Sequence, residues 1–200
     1  MNHYIAIAGT NRQGSNNLKL VKYIQKRCSN VAAIEVMSIA DLPVFYKTPD
    51  HSLPKRVVEM GERVKAADGV IISTPEYNHA VPAVLMNALE WLSYSSHPFK
   101  DQPVLIMGAS YGTLGTSRAQ QMLRKMLEAP ELSARVMPNA EFLVGHANDA
   151  FDDQGNLADS QLADSLDRLL ADFNVFVDIN RDLEFKRNDA LRRIQNLEKD

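Results

Sequence analysis

Apolar and polar positions fall into short blocks that repeat along this chain. Tyr4 to Ala8 is a nearly continuous apolar run, the pattern of a strand covered on both faces. A polar loop follows, and then Leu18, Val21, Ile24 and Cys28 recur at helical spacing. The cycle repeats. Ala32 to Met37, Val70 to Ser73 and Pro103 to Met107 read as further strands. Val57, Met60 and Val64 stripe a helix that begins after Pro54, and Val81, Val84, Leu85, Ala88 and Leu92 stripe another. Ala119, Met122, Leu123, Met126 and Leu127 form a fourth helical face. Val136 and Phe142 to Val144 mark a fifth strand split by Pro138 and Asn139, and Leu162, Leu166, Leu169, Leu170, Phe173 and Val177 stripe a fifth helix. Five strands alternating with five helices predict an α/β, doubly wound, five-stranded parallel sheet with helices on both faces. Crossovers in such sheets are right-handed. Ligands bind beyond the carboxyl ends of the strands, near the switch in strand order. The loops after the first, third and fourth strands are therefore the places to look for chemistry.

Composition changes this picture only by exclusion. The 200 residues are 45% hydrophobic and 24% charged, with a formal net charge of −3. That rules out a strongly basic nucleic-acid binder and a low-complexity or disordered chain. Cys28 is the one cysteine, so no internal disulfide, CxxC or zinc motif is available, and its place on a helix stripe reads as a small core residue. No metal site is expected. The opening residues carry no basic leader, and their apolar run is far short of the ~20 residues a membrane span needs. The reading is a cytoplasmic protein with no membrane or nucleic-acid partner. Residues 1–179 read as one domain. Residues 180–200 read as a charged helical extension with an apolar trace at Leu183, Ala190, Leu191, Ile194 and Leu197, either solvated or packed on a partner subunit.

The loop after the first strand, Gly9-Thr-Asn-Arg-Gln-Gly-Ser15, has the makings of a phosphate site. It leads into a helix whose free N–H groups attract anions. It offers hydroxyls at Thr10 and Ser15, a guanidinium at Arg12, and an amide just beyond at Asn17. It is neither a P-loop, because Ser15-Asn16 stands in place of the lysine pair, nor a dinucleotide fingerprint, because Asn11 stands where the second glycine belongs. Such a loop suits holding a terminal phosphate without turning it over. The plainer alternative is that Ser15 or Asn16 only caps the helix.

After the third strand, Thr74-Pro75-Glu76-Tyr77-Asn78 is a proline-led turn with an aromatic and an amide, suited to the edge of a flat heterocycle. Trp91, in the helix beyond, reads as packing. After the fourth strand, Gly108-Ala-Ser110-Tyr-Gly112 matches the GxSxG nucleophile elbow of serine hydrolases. A triad in hydrolase order needs an acid and then a histidine. His146 is the only histidine after Ser110, and only Glu128, Glu131 and Glu141 lie between. The other use of this turn is backbone N–H groups facing polar ring atoms, where glycines allow close approach.

These motifs, in this order, resemble the NAD(P)H-dependent FMN reductase family of flavodoxin-like folds, which includes quinone, chromate and azo-dye reductases. The resembling residues are Gly9 to Asn17, Pro75-Glu-Tyr-Asn-His-Ala-Val-Pro82 with Asn87-Ala-Leu-Glu-Trp-Leu92, and Gly108-Ala-Ser-Tyr-Gly-Thr-Leu-Gly115 with Arg118-Ala-Gln120. The match runs from about Asn2 to Val144. The resemblance implies a flavodoxin-like sheet and a tightly held, non-covalent FMN, with NAD(P)H as co-substrate. It implies that Thr10, Arg12, Ser15 and Asn17 hold the phosphate. Pro75, Glu76, Tyr77 and Asn78 would line the isoalloxazine ring, and Ser110, Tyr111 and Gly112 would meet its pyrimidine edge. Tyr111 stands where many relatives carry a smaller residue.

The family chemistry implied is ping-pong transfer at one site: hydride from NAD(P)H to FMN, then electrons to a small acceptor such as a quinone, flavin, azo compound or metal oxyanion. The cofactor carries that chemistry, so no catalytic acid or base is assigned. His79 beside the ring-lining turn reads as a solvent-exposed loop residue. A homodimer or homotetramer is expected. An FMN-binding module or electron carrier without turnover, and a serine hydrolase using Ser110, are the alternatives. Charge supports the anion site. Residues 1–34 carry five basic side chains and no acidic one, whereas the other 166 carry 17 basic and 25 acidic.

Overall fold

A computed structural model describes residues 1–197, without the side chains of Glu184, Asn196 and Leu197. Leu197, the last position of the apolar trace in the extension, and residues 198–200 therefore lie outside the described side chains.

The chain order is β1 (Asn2–Ala8), α1 (Asn16–Arg27), β2 (Ala32–Met37), α2 (Lys55–Ala66), β3 (Gly69–Ser73), α3 (Ala83–Tyr94), β4 (Pro103–Ala109), α4 (Ser117–Leu127), β5 (Arg135–Val136), β6 (Leu143–Val144) and α5 (Ser160–Leu197). The strands are parallel in the order β2-β1-β3-β4-β5, with β6 also on β4. This is the flavodoxin-like order, whose switch point lies between β1 and β3. The strand alternation explains the two-sided burial. Tyr4, Ala6 and Ala8 of β1 face one core with Leu20 and Ile24 of α1 and Leu166 and Phe173 of α5. Ile5 and Ile7 face the other, with Met60 of α2, Leu85 and Leu92 of α3 and Leu123 of α4. Each of these buried Leu, Ile, Met and Phe side chains contributes about 1.5–3 kcal/mol.

Two details differ from the sequence expectation. The split fifth strand is two separate two-residue strands that share one neighbour. β5 pairs with the start of β4, Pro103 opposite Arg135, and β6 pairs with its end, Gly108 opposite Leu143. Pro138 and Asn139 fall in the gap, where Asn139 takes a positive φ of 55°. Because β6 continues the ladder, β4 runs two residues past Met107, and Gly108 is a strand residue rather than part of the turn. A Cβ at Gly108 would lie 2.0 Å from Thr116 Oγ1 and 2.4 Å from the Thr74 carbonyl. This glycine therefore answers to close packing of the β3 and β4 ends.

α5 continues without a break through residue 180. Its buried stripe of Ala163, Leu166, Leu170, Phe173 and Val177 closes at Asn180. Beyond that point the described side chains are exposed or half-exposed. Arg181 pairs with Asp68 at 2.9 Å and Arg187 with Asp101 at 3.0 Å.

Candidate functional site

The three loops singled out by sequence converge at the carboxyl end of the sheet. A cleft there is lined by Arg12, Ser15, Asn16 and Asn17 from the β1 loop and α1, by Pro75, Glu76 and Tyr77 after β3, and by Ala109, Ser110 and Tyr111 after β4. Eight of the eleven expected site residues line it, and Thr10, Asn78 and Gly112 do not.

The β1 loop is shaped as an anion cradle. Ser15 caps α1, its Oγ accepting the Asn17 N–H at 3.3 Å. The hydroxyl is thus a cap as well as a candidate ligand. Among the described residues, the N–H groups of Gly14, Ser15 and Asn16 donate to no protein acceptor. No acidic side chain occupies the first turn of α1. Gly14 has φ +68° with open space where a Cβ would point, so a side chain there is disfavoured by backbone strain alone. Thr10 acts within the loop, its Oγ1 accepting the Arg12 N–H at 3.1 Å.

Asn17 is buried, and its amide is mostly engaged. Nδ2 donates to the Ala109 carbonyl at 2.8 Å, and Oδ1 accepts from the Ala109 N–H at 2.9 Å and from Ser73 Oγ at 2.8 Å. β3 ends at Ser73, so Ala109 has no strand partner on that side. The Asn17 primary amide takes the place of the missing peptide and closes the ladder. Its position at the head of α1 couples the phosphate-type loop to the end of β4.

The β3 loop opens with buried Thr74 and Pro75 and ends in a two-residue hairpin. Tyr77 N–H donates to the Ala80 carbonyl at 3.2 Å and Ala80 N–H returns a bond at 3.0 Å. Asn78 and His79 form the tip with φ of 52° and 62°, the left-handed pair such hairpins need. Both are exposed, consistent with a loop histidine at 79. The Glu76 carboxylate is held by the head of α4. Oε2 accepts the N–H groups of Arg118 at 3.0 Å and Ala119 at 3.1 Å.

In the β4 loop, Ser110 Oγ donates to the Gly112 carbonyl at 3.3 Å. No histidine ring is bonded to it among the described residues, so the elbow lacks its base. Gly112 has open space around its Cβ position. Tyr111 reaches across the mouth of the cleft, where Arg12 Nη2 donates to its hydroxyl at 3.2 Å. Sequence reasoning missed Asn16 and Ala109 as lining residues. Asn16 is the first residue of the capped helix, and Ala109 carries no functional side chain, so neither advertises itself.

An open sheet of this order, with free helix N–H groups and Arg12 on one side of a cleft whose other walls are the β3 and β4 loops, is a flavodoxin-like nucleotide-cofactor protein. The donor set fits FMN: a dianion at the head of α1 and a planar ring between the β3 and β4 loops. The comparisons agree. Residues 3–149 match the family model described as NADPH-dependent FMN reductase, and the chain belongs to that family. It is an oxidoreductase that uses FMN and a nicotinamide co-substrate. The chain is 46% identical to the CrdA subunit of NADH:(hydroxy)cinnamate reductase from Vibrio ruber, over 88% of each chain. It is 40% identical to subunit 2 of the NADH-dependent flavin reductase of Lactobacillus johnsonii, over 87% of this chain and 96% of that one. Among solved structures, the FerB NAD(P)H:(acceptor) oxidoreductase of Paracoccus denitrificans matches with a TM-score of 0.75 and 26% identity, covering 91% of this chain and 98% of that one. Two of these relatives are named as subunits, so the family includes multi-component assemblies. No described helix is long and apolar enough to cross a membrane.

Proposed function

We propose that the chain binds FMN in the cleft between the β1, β3 and β4 loops and works as a cytoplasmic, NADH-preferring reductase of a small electron acceptor. The observation that carries this reading is the free N–H cradle of Gly14 to Asn16 beside Arg12, facing the slot between Pro75 and Ser110. Thr10, Arg12, Ser15 and Asn17 are assigned to the phosphate region. Arg12 and the α1 head supply its positive charge. Thr10 shapes the loop, and Asn17 holds the loop against β4. Pro75 and the backbone of Glu76 to Asn78 are assigned to the ring, with Ser110, Tyr111 and Gly112 at its pyrimidine edge. Bound FMN supplies hydride acceptance from the nicotinamide and electron delivery to the acceptor. The protein's part is to orient the ring, leave one face open and exclude competing water. No side chain is assigned a proton-transfer role.

The preference for NADH follows the two relatives named for that donor. The acceptor class proposed is a flat, electron-poor organic molecule such as a quinone, a free flavin or a conjugated enoate. Residues 1–179 are taken as the FMN-binding domain and 180–200 as an extension, because the buried stripe of α5 ends at Asn180. A homodimer or homotetramer is the proposed assembly. The test is steady-state turnover of an acceptor panel with each nicotinamide. Parallel double-reciprocal lines support a shared ping-pong site, and no turnover with any acceptor refutes it.

A further inference from the structure

α4 begins awkwardly. Its cap residue Thr116 has φ +76° and makes no side-chain cap bond. The cap instead comes from another loop. Glu76, 42 residues earlier, accepts two first-turn N–H groups on one carboxylate oxygen, from Arg118 at 3.0 Å and Ala119 at 3.1 Å. The other oxygen lies 3.4 Å from the Arg118 guanidinium. The Glu76 side chain is only 10% exposed, although it belongs to a surface turn. A carboxylate at a helix N-terminus is favoured both by the free N–H groups and by the helix dipole.

The position matters more than the bond count. Glu76 sits between Pro75 and Tyr77 on the β3 side of the cleft, while α4 receives the chain from Ser110, Tyr111 and Gly112 on the β4 side. Beyond Ser73 and Met107 the two strands no longer pair with each other. At the strand ends Asn17 bridges Ser73 and Ala109, and past them cross-loop contacts hold the two walls at a fixed separation. Gly108, close-packed on Thr116 and the Thr74 carbonyl, holds the base of this gap. The Glu76 clasp holds its rim.

We infer that Glu76 is a positioning residue, whose capping of α4 sets the width of the slot that receives the planar ring. The inference rests on the reading of this cleft as the FMN site. It differs from a ring-contact role for the same side chain, because the carboxylate faces α4. Without the clasp the β3 turn and the head of α4 move independently, and the slot competent for the ring becomes a fraction of the ensemble. Apparent affinity falls by that fraction.

The experiment measures FMN binding to apoprotein by flavin-fluorescence quenching, with amide exchange at Arg118 and Ala119 measured without FMN. Glu76→Ala is expected to weaken FMN binding by about tenfold or more and to expose both amides. Glu76→Gln keeps an acceptor oxygen for the two N–H groups and is expected to recover binding to within about threefold. Arg118→Ala leaves both backbone bonds in place and is expected to stay within about twofold of wild type. If Glu76→Ala fails to fold, Glu76→Asp, one methylene short of the reach, replaces it with the same expectation. Wild-type binding together with unchanged binding in Glu76→Ala overturns the inference alone. Equal defects in the Ala and Gln variants overturn it in favour of a charge effect. A wild-type chain that binds no FMN overturns the reading of the cleft and the inference with it.

Discussion

Replacing Asn17 by alanine removes an amide that stands in for a missing strand. Three bonds go: to the Ala109 carbonyl at 2.8 Å, from the Ala109 N–H at 2.9 Å and from the Ser73 hydroxyl at 2.8 Å. Asn17 is 2% exposed, Ser73 0% and Ala109 3%. Each partner is thus left buried without a substitute, which costs about 1–3 kcal/mol per group. The Ser73 hydroxyl can rotate toward another acceptor, so the two Ala109 groups dominate. The expected loss is about 3–5 kcal/mol. Urea unfolding of the apoprotein, with the slope held common between variants, reads this directly. Asn17→Asp separates the parts. It keeps both accepting roles, loses the donor to the Ala109 carbonyl and faces that carbonyl with a negative oxygen. It should fall within the same range. If Asn17→Ala costs under about 1 kcal/mol, the amide is not holding the end of β4, and its bonds have been overvalued. Because the same residue heads α1, FMN binding should weaken in step with stability.

Further outcomes follow from other parts of the fold. Gly108→Ala pushes a methyl against the Thr74 carbonyl and Thr116, so thermal unfolding should show a loss of about 1–3 kcal/mol or more, and soluble yield should fall. Asp101 accepts bonds from Arg187 and Arg135, in that order of effect, and its carboxyl is held below the usual carboxylate range. Its folded pKa is depressed, so its contribution is present above the unfolded carboxylate pKa, near 4, and is lost as pH falls through the lower folded value. Asp101→Asn should therefore lower stability at neutral pH and narrow the gap from wild type in strong acid, measured by unfolding midpoints across pH. Burial pushes the Cys28 thiol up from its ordinary pKa. Iodoacetamide should label native protein at neutral pH far more slowly than urea-unfolded protein, as mass spectrometry will report.

The periodic elements were legible because their cause is local. Tyr4 to Ala8 must be covered on both faces, and the stripe Leu18, Val21 and Ile24 is helical whatever surrounds it. The convergence of three loops was legible for a similar reason, since parallel topology brings strand ends together. What each polar side chain does there was not. Asn17 read as a ligand group from the loop's composition, and Glu76 as one from the family resemblance. Only the end of β3 at Ser73 and the uncapped start of α4 at Thr116 show why one closes a ladder and the other caps a helix. Both are long-range facts, over 92 residues for Asn17 and 42 for Glu76. Gly108 shows the same limit. In sequence it completes a hydrolase-like GxSxG pattern, whereas in the fold it is the strand position where two loop ends pack too closely for a Cβ. The end of the buried stripe near Asn180 was visible as a change from apolar spacing to charge, although the helix itself does not stop there.

FMN held in the cleft should pass reducing equivalents from the nicotinamide to the acceptor. Anaerobic absorbance spectroscopy of the purified, FMN-reconstituted chain tests this most directly. The expected result is a bound-flavin spectrum that NADH bleaches within seconds, and that added quinone restores without further nicotinamide. A chain that takes up no flavin, or one whose bound flavin stays oxidised under excess NADH and NADPH, contradicts it.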